Sequence, residues 1–432
     1  MEELYAVPFV SGPIHHTVQI PGSKSITNRA LPIAALADGA THLTNALFSD
    51  DSRHFMDSLQ RLGYKLEASA ITSTITVYGE GIRPLNHPGG VELFVGNSGT
   101  TARFISAFVS LGRGTYRIDG VKRMRERPMG DLLAGLRDLG VNAHDELQTG
   151  CPPLKIDTSG IKGGTAVVKS NASSQYLSGL LIAAPYALGP VEIRVPGELV
   201  SAPYVDMTIK MMKRFGADIE SDGSIFRTKP SRYQAGDYAI EPDASGASYF
   251  LAAAAICGGS VTVAGLSADS LQGDAKFARV LEMMGCAVIY DQNGITVTGP
   301  VDGLHGVEAD LFDMSDMVPT LAAIAPLATS PTRISNVANV RLKETDRIRA
   351  CVTELRRFGV DVTELADGLV IQPCDHLRTG VSVETYDDHR MAMAFTILGL
   401  KVSGTAIQNP ECVAKTFPDF YERLGKMLDP SN

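Results

Sequence analysis

The sequence predicts an α/β protein of two similar lobes, each built from three βαβαββ repeats. Three observations predict it. Six apolar helical stretches end on a glycine that follows Leu, Phe or Met: Gly63, Gly140, Gly216, Gly285, Gly359 and Gly425, at intervals of 77, 76, 69, 74 and 66 residues. Glycine after a helix takes the left-handed cap conformation without steric cost. A second series of helix starts, near Ser25, Gly99, Ser173, Ser245, Ser315 and Asp387, recurs after 74, 74, 72, 70 and 72 residues, and a fixed period of this kind marks a repeated structural unit. The length of 432 residues exceeds one hydrophobic core, since cores stop growing near ~250–300 residues.

Each copy opens on a short β-rich run: TVQIPG, VELFVGN, AVVKSN, DYAIEPD, EADLFDM and VSVETYD. A helix follows, then a second run: THLTNAL, TYRIDG, VEIRVPG, SVTVAG, TRISNV and TAIQNP. The next helix reaches the capping glycine, after which ADIESDGSIFRT, AVIYDQNGITVTG and VDVTELADGLVIQ set Asp-Gly or Asn-Gly between β-rich stretches, a hairpin signal. The last copy has no hairpin after Gly425, whereas an orphan β-rich segment, LYAVPFVSG, precedes the first. The economical arrangement completes the sixth copy with the N-terminus. Residues 1–22 and 242–432 then form a lobe with both termini and repeats 4–6, and residues 23–241 an inserted lobe with repeats 1–3.

Composition narrows the function. Apolar residues make up 44% and charged residues 20%, a globular balance with no low-complexity tract. The start, MEELYAVPFVSG, lacks the basic region and apolar core of a secretory signal, and no apolar run approaches the ~20 residues that span a bilayer. A cytoplasmic protein without membrane contact is expected, and a monomer. The six cysteines form no C-x-x-C pair, which predicts small buried hydrophobes rather than disulfides or zinc ligands. A net charge of −9 argues against nucleic acid, which wants a basic face. Any anion site must be a local cluster of Lys and Arg.

The helix starts supply that cluster. GSKSITN, GNSGTTA, NASSQYL, PDASGAS, DMSDMVP and YDDHRMA are rich in Ser, Asp, Asn and Gly, which capping alone explains. Capping does not explain Lys24, Arg29, Arg103, Gln175, His389 and Arg390. Free N–H groups and the positive end of the dipole make a helix start a site for phosphate or carboxylate. Repeats folded alike would bring these starts to one side of each lobe, and the active site is expected in the cleft between the lobes. PGSKSITNR, residues 21–29, imitates a nucleotide phosphate loop but lacks a second glycine in register, so no nucleotide is implied. RLKETDRIR sets Lys343 and Arg347 four apart, a like-charge pair on a helix that wants an anion unless Glu344 and Asp346 relieve it. KRMRERPMG puts Arg123, Arg125 and Arg127 at alternate positions, which face one way in an extended loop.

PGSKSITNRALPIAALADG, GNSGTTARF, RERPMGDL, SSQYLSGLLIAAP, NVRLKETDRIRA, YDDHRMAMAF and AKTFPDF, in this order, resemble the 5-enolpyruvylshikimate-3-phosphate synthase (3-phosphoshikimate 1-carboxyvinyltransferase) family over nearly the whole chain. The resemblance implies lobes of the inside-out α/β barrel type. It also implies transfer of the enolpyruvyl group of phosphoenolpyruvate to the 5-hydroxyl of shikimate 3-phosphate, releasing phosphate, in the shikimate pathway of aromatic amino-acid biosynthesis. The partners implied are these two small molecules, with no metal and no cofactor.

By position, the resemblance assigns Ser25 and Arg29 to the shikimate carboxylate and ring oxygens, with Lys24 reaching both substrates. Ser173, Ser174 and Ser201 are implied phosphate ligands of shikimate 3-phosphate, Tyr204 packs on its ring, Gln175 bridges the two ligands, and Asn339 and Lys343 complete that site. Asn97, Gly99, Arg127 and Lys415 fall to phosphoenolpyruvate and its phosphate, and Arg347 with Arg390 to its carboxylate, for which a planar guanidinium is suited. Asp316 is the implied base for the 5-hydroxyl, with Asp313 as an alternative; Lys24, Lys343 and Glu344 are candidates for proton traffic at the methyl carbon. The family more often has Ala, Met and Pro where Ser98, Ala102 and Phe104 stand, which bears on sensitivity to the competitive inhibitor glyphosate. Two alternatives differ in class. The sister transferase acting on UDP-N-acetylglucosamine carries a cysteine where RMRERPMG stands, and a non-catalytic anion-binding repeat protein would gain nothing from Asp316 and Glu344.

Overall fold

The helices that open each repeat are apolar on nearly every side, and a helix of that kind must be buried. A computed structural model describes residues 4–169, 173–197 and 199–429; Asn171 and Ala172 of the third helix-start motif lie outside the described residues. The chain divides into two compact units, 22–240, and 1–21 with 241–432. The first holds α1 (Lys24–Leu36), α2 (Asp50–Arg61), α3 (Gly99–Val109), α4 (Gly130–Asp138), α5 (Gln175–Ala183) and α6 (Ala202–Arg214). The second holds α7 (Ala244–Cys257), α8 (Phe277–Met283), α9 (Val318–Ile324), α10 (Arg347–Arg357), α11 (His389–Gly399) and α12 (Phe420–Leu428). In one unit α1, α3 and α5 pack on one another, and in the other α7, α9 and α11 do so. Every residue of α3 and α11 is buried. Even-numbered helices bury one face only: α10 buries Ile348, Cys351 and Leu355 and exposes Arg349, Thr353 and Arg356.

Three four-stranded sheets complete the 22–240 unit. Their strand orders are Asp237–Ala239, Asp38–Thr44, Thr74–Glu80, Lys65–Ser69; Asn86–Phe94, Arg113–Asp119, Leu154–Thr158, Asn142–Asp145; and Gly164–Val167, Val191–Arg194, Ile225–Thr228, Ile219–Ser221. In each the first pair is parallel and the others antiparallel. The unit with the termini has two sheets of the same plan, Ile14–Val18, Gly259–Ala264, Gly294–Thr298, Ala287–Tyr290, and Glu308–Asp310, Thr332–Ser335, Gly368–Ile371, Val362–Leu365. Its third sheet has three strands, Ser382–Val383, Ala406–Gln408 and Leu4–Ala6, the last antiparallel to its neighbour where a hairpin strand stands elsewhere. Two strands exchange places. Ile14–Val18, which opens the first copy, pairs with Gly259–Ala264 of the fourth, and Asp237–Ala239, which opens the fourth, pairs with Asp38–Thr44 of the first.

Five of the six expected caps are left-handed glycines, Gly63, Gly140, Gly216, Gly285 and Gly359, with φ of 95°, 85°, 88°, 99° and 87°. Gly425 is not a cap: it lies inside α12, which runs on to Leu428 and buries Phe420, Leu424 and Met427. A mid-helix glycine costs only about 1 kcal/mol against Ala, less than burial of those three side chains contributes. The fifth helix start is also displaced. A 3₁₀ segment, Phe312–Met317, precedes α9, whose first turn holds Pro319, a residue that fits there because that turn has no use for its missing N–H. Cys151, Cys286 and Cys351 are buried, Cys257, Cys374 and Cys412 half-buried, and all six are free thiols. Among the described residues no helix is long and apolar enough to cross a membrane.

Candidate active site

In the 22–240 unit serines cap the buried helices, and polar side chains tie the start of α5 to α3. Ser23 caps α1 through the Ile26 N–H, Ser98 caps α3 through the Thr101 N–H, and Ser173 Oγ accepts from the Gln175 N–H at 3.2 Å at the start of α5. Arg103 Nη1 donates to Gln175 Oε1 at 2.7 Å, and Gln175 Nε2 to Thr100 Oγ1 at 3.1 Å, so both ends of the Gln175 amide tie α5 to α3. Arg29 is buried with 1% of its surface exposed. It donates from Nε to Thr208 Oγ1 (2.7 Å), from Nη1 to the Ser25 carbonyl (2.9 Å), and from Nη2 to the Tyr204 carbonyl (3.1 Å) and Ser178 Oγ (3.4 Å). The Phe104 and Tyr204 rings flank it, with centroids at 5.3 and 5.9 Å. Burial lowers its pKa to about 10, a value at which it keeps its charge at neutral pH.

Arg127 reaches the first turn of α3, where Nη1 donates to the Asn97 carbonyl at 2.9 Å. Gly99 leaves room for it: a Cβ at residue 99 would lie 2.5 Å from Arg127 Nη2 and 2.9 Å from Arg103 Nη1. The three alternating arginines therefore do not face one way. Met124–Glu126 is a 3₁₀ turn rather than an extended loop. Arg123 pairs with Glu126 at 2.8 Å and Arg125 with Asp119 at 2.6 Å, and Arg127 alone of the three is buried. Lys24, in the first turn of α1, lies 3.8 Å from the buried Asp51 carboxylate of α2. Ser173, Ser174 and Ser201 are buried. Ser201 holds the left-handed conformation, φ 55°, where α6 begins, a backbone that non-glycine residues keep only when their surroundings impose it. Tyr204 follows in the first turn of that helix.

The second cluster belongs to the unit with the termini and is centred on Arg347, the first residue of α10. Its guanidinium is 1% exposed. It donates from Nε to Asp388 Oδ2 (2.8 Å), from Nη2 to Asp388 Oδ1 (3.2 Å) and Glu344 Oε2 (2.8 Å), and from Nη1 to Asp316 Oδ1 (3.0 Å). Burial opposes its charge, but the carboxylates of Asp388, Glu344 and Asp316 outweigh burial and raise its pKa above the ordinary arginine value. Asp316 Oδ2 accepts from Arg390 Nη2 at 2.7 Å, and Lys343 Nζ stands 3.8 Å from its Oδ1. Lys415 Nζ lies 3.0 Å from Glu344 Oε1. Asn339 Nδ2 donates to Ser315 Oγ at 3.1 Å, beside Asp316. Asp313 is exposed. Buried carboxylates and cations in mutual contact make a costly arrangement unless a function uses it.

Lys343 and Arg347 do not share a helix, contrary to the four-residue spacing. Lys343 ends a 3₁₀ turn, Ala338–Leu342, and α10 starts at Arg347 behind its cap Asp346. Both cations are instead drawn to Asp316. Of the neighbouring acids, Glu344 does pair with Arg347, whereas Asp346 takes Arg341 at 2.7 Å. Sequence reasoning missed Asp51 and Asp388 as partners of the basic residues. Asp388 carried a signal, since an Asp directly before a buried helix is an N-cap, and its carboxylate here accepts the Arg390 N–H at 2.9 Å while also holding Arg347. The positions that depart from the family pattern have local roles: Ser98 caps α3, Phe104 lies against Arg29, and Ala102 is buried. Among the described residues no group of three His, Cys, Asp or Glu side chains is arranged to hold a metal ion.

The model of the EPSP synthase (3-phosphoshikimate 1-carboxyvinyltransferase) family matches residues 10–424 of this chain. A 3-phosphoshikimate 1-carboxyvinyltransferase of Nostoc sp. is 50% identical over 431 residues, covering 98% of this chain and 99% of its own length. The chloroplastic 3-phosphoshikimate 1-carboxyvinyltransferase of Arabidopsis thaliana is 44% identical, over 95% of this chain and 82% of its own. Among solved structures, EPSP synthase from Acinetobacter baumannii matches with a TM-score of 0.82 and 26% identity over 98% of both chains.

Proposed function

The chain belongs to the EPSP synthase (3-phosphoshikimate 1-carboxyvinyltransferase) family, and from that membership we propose which of its residues carry which part of the reaction. The reaction moves the enolpyruvyl group of phosphoenolpyruvate to the 5-hydroxyl of shikimate 3-phosphate and releases phosphate. In the addition step the 5-hydroxyl oxygen bonds to C2 of phosphoenolpyruvate, loses its proton to a base, and the methylene carbon gains a proton to become a methyl. In the elimination step the C2–O bond to phosphate breaks and the methyl returns a proton. Nothing is consumed beyond the two substrates.

Asp316 is the base in this reading. The observation that carries it is the bonding of Asp316 to both Arg347 and Arg390. When the carboxylate of phosphoenolpyruvate takes Arg347 and Arg390, those donors are drawn away from Asp316, and its oxygens become available to accept the hydroxyl proton. Lys24, Lys343 and Glu344 handle the proton at the methyl carbon. Lys415 and Arg127, with the backbone at Gly99 and the Asn97 side, take the phosphate of phosphoenolpyruvate, and charge-assisted bonds of this kind stabilise the leaving group as it departs. Ser173, Ser174 and Ser201 take the phosphate of shikimate 3-phosphate, Ser25 and Arg29 its carboxylate and ring oxygens with Tyr204 on the ring, Asn339 and Lys343 complete its site, and Gln175 bridges the two substrates. A cytoplasmic monomer is part of the proposal; sedimentation at the mass of two chains would overturn the second half of it.

The test is inorganic phosphate release with phosphoenolpyruvate and shikimate 3-phosphate together, then with each alone. Release only with both supports the reading. No release with both, or equal release when UDP-N-acetylglucosamine replaces shikimate 3-phosphate, ends it.

A further inference from the structure

We propose that Glu354 is a positioning residue that sets where Arg390 and Arg347 present their guanidinium groups; this rests on the reading above, in which those two arginines take the carboxylate of phosphoenolpyruvate. Glu354 lies seven residues after Arg347 on α10, two turns along, so both side chains leave the same face of the helix. That face meets the segment 384–390. Arg347 holds Asp388 at the far end of it, through bonds of 2.8 and 3.2 Å. Glu354 holds the near end: its Oε1 accepts from the Tyr386 hydroxyl at 2.9 Å and its Oε2 from the Glu384 N–H at 3.2 Å. Arg357 Nη1, one turn on, donates to the same carboxylate at 3.0 Å.

The stretch between these two grips is one that needs holding. Tyr386 and Asp387 both have φ of 54°, consecutive left-handed residues with side chains. Residues other than glycine keep that backbone only where the surroundings over-determine it. Asn409 Nδ2 supports the turn from outside, donating to Asp387 Oδ1 at 3.2 Å. Directly after the turn, Asp388 caps α11 and accepts the Arg390 N–H. The strained turn thus fixes the origin of α11, and with it Arg390, relative to Arg347. Glu354 is completely buried, and an apolar side chain would fill such a position at less cost than an ionised carboxylate. What the carboxylate adds is direction: three donors from three residues converge on it.

The experiment uses the whole chain in four forms, wild type, Glu354→Ala, Tyr386→Phe and, as the conservative rescue, Glu354→Gln. Amide hydrogen exchange reads the turn itself, and steady-state kinetics reads the site. Expected for Glu354→Ala are lost protection across 384–390 and a rise of tenfold or more in KM for phosphoenolpyruvate, with KM for shikimate 3-phosphate changed less than threefold. Glu354→Gln, which keeps one acceptor, should recover part of both effects. Tyr386→Phe removes a single arm without loss of volume, so it answers the question even if the alanine variant does not fold; a rise of twofold or more in the same KM is expected. Unchanged exchange in both variants overturns the proposal, as does lost protection with unchanged KM, or an equal rise in both KM values. If wild type itself releases no phosphate, the functional reading fails, and the exchange data alone then decide whether Glu354 holds the turn.

Discussion

Substituting Gly99 by Ala tests the geometry of the α3 start most directly. The added Cβ would lie 2.5 Å from Arg127 Nη2, 2.7 Å from Arg127 Cζ and 2.9 Å from Arg103 Nη1. Unstrained carbon contacts are about 3.5–4.0 Å, so the Arg127 guanidinium must retreat by about 1 Å. Its bond to the Asn97 carbonyl is already 2.9 Å, and a retreat of that size carries it past the ~3.2 Å limit of a good N–H···O bond. A displaced charged donor is worth about 1.5–3 kcal/mol, which corresponds to roughly ten- to 150-fold in affinity. The helix itself tolerates the change, because Ala is the better helix former by up to about 1 kcal/mol. Steady-state kinetics at saturating shikimate 3-phosphate should therefore show KM for phosphoenolpyruvate raised by that factor. Because Arg127 also stabilises the phosphate as it leaves, kcat should fall together with the rise in KM. A folded variant with unchanged KM, or one that loses kcat while keeping KM, would refute the reasoning.

Three more outcomes follow from the second cluster. Asp388→Ala leaves Arg347 buried with fewer partners, and breaking a buried pair in this way costs about 3–5 kcal/mol; urea denaturation should show it, and a loss below about 1 kcal/mol would contradict the structure. Asp316→Asn should lower kcat by about 10²–10⁴-fold with the fold intact, and a drop of less than tenfold removes Asp316 from the role of base. Glu354 gives a pH signature. Burial raises its carboxyl above the ordinary value, against the opposing bonds from Tyr386, Arg357 and the Glu384 N–H. In the window between the unfolded glutamate value, about 4.3, and the raised folded value, the folded chain binds more protons than the unfolded one, so stability falls as pH rises through it. Denaturation over a pH series should show a shallower fall for Glu354→Gln than for wild type; identical slopes would show that the Glu354 carboxyl is not perturbed.

The parts of the fold that were legible are those that local chemistry decides. A glycine after Leu, Phe or Met at the end of an amphipathic helix marked five real caps, because the left-handed residue is required within a few positions of the helix it ends. The same pattern misled at Gly425, which lies inside a helix that continues to Leu428. Local rules see the glycine but not the apolar face, Phe420, Leu424 and Met427, that holds the helix together across it. The alternating Arg123, Arg125 and Arg127 failed for a related cause: Glu126 and Asp119 draw two of them outward beside a 3₁₀ turn, and an acid three or six residues away has no fixed direction in a sequence.

The candidate site divides in the same way. Lys24, Gln175 and Arg390 stood out because helix starts rich in capping residues do not call for them, and Arg347 because its spacing from Lys343 sets two like charges together. Their partners did not. Asp51 lies 27 residues from Lys24, and Asp388 lies 41 residues from Arg347, separations over which only the packing of helices determines which carboxylate meets which cation.

The sequence by itself determined the period, five of the six helix-ending glycines, the hairpins and the family, since each depends on residues close in the chain or on whole motifs kept in order. Tertiary structure alone decided which strands Ile14–Val18 and Asp237–Ala239 pair with after crossing to the other unit, that Gly99 packs against two guanidinium groups, and that Asp316 is bonded to two arginines. Strand edges accept any partner of matching length and a carboxylate any cation in reach. The choice among them is made by the burial of the helices on which they are carried, a sum over the whole fold that no short stretch of sequence contains.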